Sequence, residues 1–343
     1  MIPMDTTMIR TSGLTRHFIV KKQTVEAVRG IDLRVEAGEL VALLGPNGAG
    51  KSTTLRMLTT LLPPTSGAAR VAGFDVTTDP ASVRRRIGSI GQGNGAGHSQ
   101  RGRDELISQG RAYGMPVAAA RTRAAELIAS LDLEGVADRV VSSLSGGQRR
   151  RLDIAMGLIH APDLLFLDEP STGLDPQNRA NLAEHIRTLR AEHGTTIVLT
   201  THYLDEADQL AERVVVIDHG EVIADATPAR LKADHAGDRV TLGFERDADA
   251  RRAIVTSLGI AGGAGAERHG TKVTIRAGNG ARLVPKLLRS LDDAGIAVDS
   301  VEVTRPTLDD VFLNLTGRSL REGGTAEAAA PAAAGRAHTE VAA

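Results

Sequence analysis

One short stretch constrains the fold of this chain more than any other: residues 45–52, which read GPNGAGKS. An apolar run at 40–44 precedes it and an apolar-periodic segment at 53–62 follows, so the sequence predicts a strand, a glycine-rich loop and a helix. The spacing G-x-x-x-x-G-K-[ST] is typical of a phosphate-binding loop, because glycines let successive N–H groups turn toward one anion. A glycine-rich turn that binds nothing is disfavoured, since Lys51 and Ser52 both stand in register.

Each part of this loop has a chemical role in that interpretation. The helix that begins near Lys51 directs its positive N-terminal end toward the anion. Lys51 is predicted to reach the β- and γ-phosphates of a nucleotide, and the Ser52 hydroxyl to bind Mg²⁺. The predicted nucleotide-binding residues of this stretch are Gly45, Pro46, Asn47, Gly48, Ala49, Gly50, Lys51, Ser52 and Thr53.

The overall composition narrows the class of protein. A chain of 343 residues can form one large domain and a small one. Its formal net charge of −1 gives no support for nucleic acid as a partner, and the absence of cysteine excludes disulfides and thiolate metal sites. No apolar run approaches the roughly 18 residues of a spanning helix. Residues 1–10 lack the apolar core of an export signal, so we expect a cytoplasmic location.

Residues 8–38, upstream of the loop, alternate apolar and polar side chains, which predicts antiparallel strands. The positions predicted to be buried are Val25, Val28, Ile31, Leu33 and Val35. Phe18 is the only aromatic residue upstream of the loop. Two interpretations of it stay open: it stacks on a nucleotide base, or it packs as an ordinary core side chain.

Downstream of the loop, Gln92 ends a strand-like segment within a glycine-rich stretch, residues 91–98. A glutamine at a strand end beside such a loop is placed to sense Mg²⁺ or the γ-phosphate; the alternative is an ordinary polar loop residue. The pattern at 104–133 is helical and predicts a helical lobe over about residues 93–143. Such a lobe serves either as a docking surface or simply as packing, and both interpretations stay open.

Two further motifs present polar groups to the same kind of ligand. Residues 144–148 read LSGGQ and lead into an amphipathic helical pattern, so Ser145, Gly146 and Gly147 are predicted to present donors at a second helix start. The apolar run at 164–167 is typical of a strand buried on both faces. Two carboxylates follow at its carboxyl end, where open α/β sheets bind ligands.

These carboxylates receive different predicted roles. Asp168 is predicted to bind the Mg²⁺ that Ser52 also binds, and Glu169 to polarise an attacking water. The segment STGLD follows and ends at Asp175. A second buried strand at 196–200 precedes His202, which is predicted to hydrogen-bond the γ-phosphate and the attacking water.

In this order, the motifs make residues 8–230 resemble an ATP-binding cassette (ABC) ATPase. The resemblance implies an α/β fold, a P-loop ABC ATPase with an antiparallel β subdomain, a parallel-sheet core and the helical lobe. It implies ATP and Mg²⁺ as ligands, and a head-to-tail homodimer in which Ser145 of one subunit covers the ATP held by the other. The implied catalytic residues are Lys51, Gln92, Glu169 and His202. The implied metal-binding residues are Ser52, Gln92 and Asp168. The implied nucleotide contacts outside the P-loop are Phe18, Ser145, Gly146, Gly147, Gln148 and Asp175.

The rest of the chain predicts a hairpin and a small separate module. The sequence Asp218, His219, Gly220 between two strand patterns indicates a hairpin that closes the ATPase domain. Residues 239–318 alternate strand and helix patterns, typical of a small α/β or α+β accessory or regulatory module. The segment 306–318 resembles the end of the daunorubicin-resistance type of ABC ATPase, which serves exporters. The Ala-rich residues 319–343 are predicted to be a disordered tail.

Two classes of function follow. The first is the energy-coupling subunit of an ABC exporter, which hydrolyses ATP at the cytoplasmic face of the membrane and drives a separate permease for a drug or other lipophilic compound. The alternative is a soluble ABC ATPase that acts on the ribosome or DNA; a single cassette, no cysteine and no sustained heptads disfavour it. A regulator whose C-terminal module binds a small effector is a third hypothesis.

Overall fold

The computed structural model describes residues 6–317, except 94, 98 and 261–264, so the predicted tail lies outside the described residues. In this part of the chain the strands are β1 (Thr7–Val20), β2 (Gln23–Ile31), β3 (Arg34–Glu36), β4 (Leu40–Leu44), β5 (Ser66–Val71), β6 (Phe74–Asp75), β7 (Ile87–Ile90), β8 (Leu164–Asp168), β9 (Thr196–Thr201), β10 (Arg213–Asp218), β11 (Glu221–Ala226), β12 (Asp238–Gly243), β13 (Ala266–His269), β14 (Lys272–Ala277) and β15 (Ser300–Thr304). The α-helices are α1 (Lys51–Leu58), α2 (Pro80–Arg86), α3 (Gly102–Ala112), α4 (Val117–Ser130), α5 (Gly146–Leu158), α6 (Pro176–His193), α7 (Leu204–Leu210), α8 (Pro228–His235), α9 (Asp247–Ile260), α10 (Gly280–Asp293) and α11 (Leu308–Thr316).

An antiparallel sheet forms the first layer, with strand order β2-β1-β5-β6 and β3 paired to β1. Four of its predicted core positions are buried: Val28, Ile31, Leu33 and Val35. The prediction for Val25 is wrong, because its side chain is 48% exposed. Val25 pairs with Phe18 near the end of the β1–β2 hairpin, whereas β5 pairs with β1 only between Ile9 and Thr15. Among the described strands, none lies beside the outer part of the hairpin as a third strand.

The central sheet has strand order β11-β10-β4-β9-β8-β7, and every neighbouring pair from β10 to β7 is parallel. Strands β4, β8 and β9 are buried along their whole length, as a parallel sheet covered on both faces requires. The antiparallel β11 follows β10 through the predicted hairpin. Because parallel strands end at one edge, the residues that follow β4, β7, β8 and β9 meet there.

The helical lobe contains α3 and α4, both packed against α5. The sequence pattern predicts helix from 104 to 133, but the structure has two helices there. Gly114 lies between them with φ +86°, and Pro116 is the N-cap of α4. Proline disfavours helical backbone angles at the residue before it, which accounts for the break.

The C-terminal module is a four-stranded sheet in the order β13-β14-β12-β15, and all its pairs are antiparallel. The sequence left an α/β and an α+β module open, and the antiparallel sheet is the α+β arrangement. Helices α9 and α10 supply a separate hydrophobic core with the sheet, built from Val240, Leu242, Ala253, Val273, Ile275, Leu287 and Leu291. The last helix of the described residues, α11, does not join that core. Its Leu308, Val311 and Phe312 are buried in the core that α7 and α8 share with the central sheet.

Candidate active site

The P-loop joins β4 to α1 and folds over its own lysine. Gly48 and Gly50 have φ values of +81° and +103°, which favour glycine. The Lys51 side chain is only 4% exposed. Its Nζ donates to the carbonyl oxygen of Gly45 at 2.7 Å and to that of Pro46 at 2.9 Å. Burial lowers the pKa of Lys51, although the carboxylates of Glu169 and Asp168 act in the opposite direction.

Next to the P-loop is a cavity of about 490 Å³. Most of its wall is the loop itself, including residues whose side chains or N–H groups were predicted to hold a nucleotide. The lining residues are Ala27, Asn47, Gly48, Ala49, Gly50, Lys51, Ser52, Thr53, Gln92 and Glu169. Its volume is within the range of small-molecule sites, and its wall carries more polar than apolar residues. The loop and two of the predicted catalytic side chains therefore face one space.

Gly45 starts the loop under tight packing. A β-carbon added there would lie 2.1 Å from the carbonyl oxygen of Ile217 on β10, and that oxygen belongs to the backbone. We expect Gly45→Ala to destabilise the fold by about 2–3 kcal/mol, because neither backbone can move without disturbing the central sheet. Denaturant unfolding measures this, and Gly135→Ala is the matched control, since nothing lies within 4 Å of that position. Equal stability of the two variants would contradict the prediction.

The hydroxyl and carboxylate groups predicted to bind Mg²⁺ are in direct contact. Ser52 Oγ donates to Asp168 Oδ1 at 2.8 Å, and Gln92 Nε2 donates to Ser52 Oγ at 3.3 Å. Thr200 Oγ1 also donates to Asp168 Oδ1, at 2.6 Å. A hydroxyl, a carboxylate and an amide are the oxygen donors that Mg²⁺ prefers in nucleotide sites, so the donor set fits this ion.

Glu169 is held in a strained backbone conformation, with φ +46°. Its N–H donates to the Thr200 hydroxyl at 2.9 Å. Its carboxylate is 11% exposed, with Oε1 at 3.5 Å from Nδ1 of His202 and 3.9 Å from Nζ of Lys51. The Thr172 hydroxyl donates to Oε2 at 3.2 Å. The pKa of Glu169 is held below its usual value mainly by His202, with further contributions from Lys51 and Thr172, although burial acts in the opposite direction. The group is therefore ionised at neutral pH, as a base must be.

His202 follows β9 and faces Glu169 with its ring half-buried. Its ring stacks at a tilt on Tyr203, with centroids 4.1 Å apart. The Arg179 guanidinium lies over the other ring, 3.7 Å from the Tyr203 centroid. This stack fixes the direction of the imidazole, because an aromatic neighbour and its cation restrict rotation on that side.

The LSGGQ motif forms the start of α5 and closes a capping box. Gln148 N donates to Ser145 Oγ at 3.3 Å, and Ser145 N donates to Gln148 Oε1 at 3.0 Å. Ser145 and Gly146 are exposed, whereas Gly147 is buried. None of the three belongs to the lining of the P-loop cavity in the described part of the chain. This helix start therefore lies outside the lining of the P-loop cavity of its own chain, and its predicted anion binding stays a prediction.

Asp175 lies beside the LSGGQ motif rather than beside the P-loop. It is the N-cap of α6 and accepts from Asn178 N at 2.9 Å and from Asn178 Nδ2 at 2.6 Å. A β-carbon at Gly147 would lie 2.7 Å from Asn178 Oδ1. Asn178 thus connects the two motifs, a contact that the sequence did not indicate because asparagine in a first helical turn is common.

Phe18 lies on β1, half-buried, with the Arg16 guanidinium 4.8 Å from its ring centroid. It pairs directly with Val25, and directly opposed side chains share one face of the sheet. Ala27, which lines the P-loop cavity, lies two residues beyond Val25 on the same strand, at a β-bulge between the Arg16–Val28 and His17–Glu26 pairs. This placement is compatible with stacking on a base, which stays a prediction.

Two residues of the site escaped sequence reasoning. Thr200 contacts both carboxylate positions, accepting from Glu169 N and donating to Asp168, yet in the sequence it is one strand residue among several. Arg150 is 8% exposed and donates to three backbone carbonyls around the site. Arg150 lies in the run RRR at 149–151, and because such a run is typical of a solvated surface, the sequence does not indicate that Arg150 is buried.

A strand-loop-helix phosphate site, a magnesium-compatible carboxylate, a paired glutamate and histidine, and a separate glycine-capped helix together define an ABC ATPase. Residues 28–172 match the family model described as "ABC transporter". Residues 227–316 match the model described as "ATP-binding protein DrrA1-3-like, C-terminal domain". The chain belongs to the ABC transporter ATP-binding proteins of the daunorubicin-resistance family, and it is an ATPase.

Curated relatives match over nearly the whole chain. The daunorubicin/doxorubicin resistance ATP-binding protein DrrA of Streptomyces peucetius is 44% identical over 94% of this chain and 97% of its own length. The linearmycin resistance ATP-binding protein LnrL of Bacillus subtilis is 35% identical over 88% of this chain and 96% of its own.

A solved structure with the same fold is the ATP-binding cassette MJ0796, a dimer in a post-hydrolysis state bound to ADP and Pi. It is 26% identical, has a TM-score of 0.59, and covers 64% of this chain and 98% of its own. The fold class predicted from the sequence is thereby confirmed.

Proposed function

We propose that two copies of this chain bind ATP head to tail at the cytoplasmic face of the membrane and power a separate permease that exports a lipophilic compound. Residues 8–230 are the ATPase domain in this proposal, and residues 239–318 are an accessory domain. One observation carries the proposal: Ser145 and Gly146 are exposed donors at a helix start outside their own chain's nucleotide cavity. A second copy supplies the ATP for them to cover.

The chemistry of hydrolysis rests on positioned charge. The Lys51 ammonium and the loop N–H groups stabilise negative charge on the β- and γ-phosphates. The ionised Glu169 accepts a proton from the attacking water, and His202, beside it, orients that water and the γ-phosphate. Ser52, Asp168 and Gln92 would hold Mg²⁺, which neutralises phosphate charge when it is bound.

The export direction is supported by relatives whose names describe resistance to daunorubicin, doxorubicin and linearmycin, and by relatives named as Nod factor export proteins. The compounds in these names are those of the relatives, and the compound exported with this chain is not specified by them. The permease is inferred because the relatives are named as ATP-binding proteins of resistance and export systems. Among the described residues, no helix is long and apolar enough to cross a membrane. A peripheral position at the membrane follows from binding to such a partner.

The localisation test uses the protein encoded beside this chain, which we expect to have about six apolar spans. Co-expression should recover most of the ATPase in the membrane fraction, whereas expression alone should leave it in the supernatant. Extraction with detergent should then release both proteins together. Sedimentation of the ATPase with ribosomes, with or without the membrane protein, would contradict the export proposal and favour the ribosomal alternative.

A further inference from the structure

Arg150 lies near the start of α5 and points into the protein rather than toward solvent. Its guanidinium uses all three nitrogens on backbone oxygens: Nε donates to Pro170 at 2.8 Å, Nη1 to Gly91 at 2.8 Å, and Nη2 to Asp168 at 3.2 Å. Gly91 immediately precedes Gln92. Asp168 and Pro170 stand on either side of Glu169. One side chain therefore holds the backbone beside two predicted catalytic residues.

A second residue of α5 secures the same loop one helical turn further on. Asp153 is 3% exposed, and its Oδ1 accepts from the N–H groups of Gly95 and Ala96 at 3.0 and 3.1 Å. Its carboxylate also lies in the electrostatic field of Arg150, as do those of Asp168 and Glu206. Two residues of α5, Arg150 and Asp153, thus bind the loop that contains Gln92, and Arg150 also binds the backbone at the end of β8.

The same helix begins with Ser145, five residues before Arg150. A helix is stiff over so short a distance, because 1.5 Å of rise per residue places the two within about 8 Å along its axis. A displacement of the LSGGQ end therefore moves Arg150 and, through its three hydrogen bonds, the backbone beside Gln92 and Glu169. Guanidinium geometry is suited to this task, since its donors form a rigid planar fork.

We propose that Arg150 is a positioning residue that couples the two nucleotide sites of the dimer. Closure of Ser145 over the partner's ATP moves α5, and Arg150 transmits that movement to Gln92 and Glu169 of its own site. This coupling rests on the proposed shared-site dimer. Within a single chain, Arg150 still fixes the two loops, so its effect on them is measurable without the dimer.

The test compares the full-length variants Arg150→Gln and Arg150→Lys with Arg151→Gln. Arg151 is the matched control, because its Nη1 donates to the Leu131 carbonyl and to Asp132, both in the helical lobe. We expect Arg150→Gln to lower kcat roughly 10- to 100-fold with KM for ATP changed less than about threefold, since misplaced catalytic groups cost turnover more than binding. Arg150→Lys should recover part of kcat, because an ammonium reaches fewer of the three carbonyls. Arg151→Gln should stay within about threefold of wild type.

Hydrogen exchange supplies a readout independent of activity and of dimerisation. In monomeric Arg150→Gln, the amides of residues 91–93, 95, 96, 168 and 169 should exchange at least about tenfold faster, whereas the core of β9 should not change. Equal acceleration throughout the chain, or an equal loss of kcat in Arg151→Gln, would overturn the positioning role. If Arg150→Gln does not fold, Arg150→Lys decides: wild-type kcat together with wild-type exchange in both segments would also overturn it.

The coupling itself is tested in mixed dimers of differently tagged chains. One chain carries Ser145→Arg, which leaves only its own P-loop covered by an intact partner Ser145. When Arg150→Gln is placed in that same chain, we expect the remaining turnover to fall because Gln92 and Glu169 of the active site are misplaced. When Arg150→Gln is placed in the other chain, we expect the turnover to fall because the Ser145 that covers the active site is misplaced. An effect from the second placement alone would show that Arg150 serves only the LSGGQ end. Full activity of the Ser145→Arg homodimer would instead refute the shared site, a separate outcome.

Discussion

Replacing Glu169 by glutamine is expected to lower ATP turnover by a factor of about 10³, within the 10²- to 10⁴-fold range of general-base catalysis. Glutamine has the shape of the carboxylate and keeps the N–H bond to Thr200, but its amide cannot take a proton from water. The predicted nucleotide contacts of Lys51 and Ser52 are not removed. We therefore expect ATP affinity within about threefold of wild type, and a dimer that persists because its ATP is not hydrolysed.

Phosphate release measures the turnover of Glu169→Gln, and size-exclusion chromatography with ATP measures the trapped dimer. Asp205→Asn is the matched control, because it neutralises an exposed carboxylate in the first turn of α7. Wild-type hydrolysis by Glu169→Gln would show that another group activates the water. A variant that neither hydrolyses ATP nor dimerises would indicate damage to the site rather than loss of a base.

The second large effect is expected from Ser145→Arg, which should lower turnover about 100-fold or more while ATP binding to the monomer stays unchanged. Ser145 is exposed at the start of α5, and its replacement by arginine both removes the hydroxyl donor and places a bulky side chain where the partner's ATP is expected. Thr122→Arg places the same side chain at an exposed position of α4 and should keep normal activity. Isotope-labelled or fluorescent ATP measures the binding.

A complementation experiment separates a shared site from a site within one chain. Lys51→Ala alone and Ser145→Arg alone should both be nearly inactive. In a dimer that contains one chain of each, the P-loop of the Ser145→Arg chain meets the intact Ser145 of the other. Random mixing should therefore restore about a quarter of wild-type turnover, because half of the dimers are mixed and each has one intact site. No recovery on mixing would refute the shared site.

Much of the site could be predicted because its chemistry depends on neighbouring residues in the sequence. A phosphate loop needs its glycines, lysine and serine within eight positions, and a carboxylate at the end of a doubly buried strand follows a readable apolar run. The convergence of Ser52, Gln92 and Asp168 then follows from parallel topology, since parallel strands end at one edge.

The remainder depended on contacts between distant segments. Val25 has the apolar side chain of a core residue, but its exposure is decided by how far β5 extends along β1. Strand β13 contains Glu267, Arg268 and His269, so its sequence has no apolar alternation, and pairing with β14 defines it. Arg150 is buried only because three carbonyls lie within its reach, and no local pattern contains that information.

The packing of α11 determines how the C-terminal module is connected. The chain leaves the ATPase domain through α8 and returns to it through α11, where Asn314 Nδ2 donates to the His235 carbonyl at 2.7 Å and Phe312 is 1% exposed. Arg239 at the start of the module's sheet pairs with Asp310 on that same helix, with Nη2 and Oδ1 at 2.7 Å. The segment that leads into the module and the helix that follows it are thus held side by side. A single proteolytic nick within the module would leave both fragments bound to the cassette, and only loss of α11 would release one end.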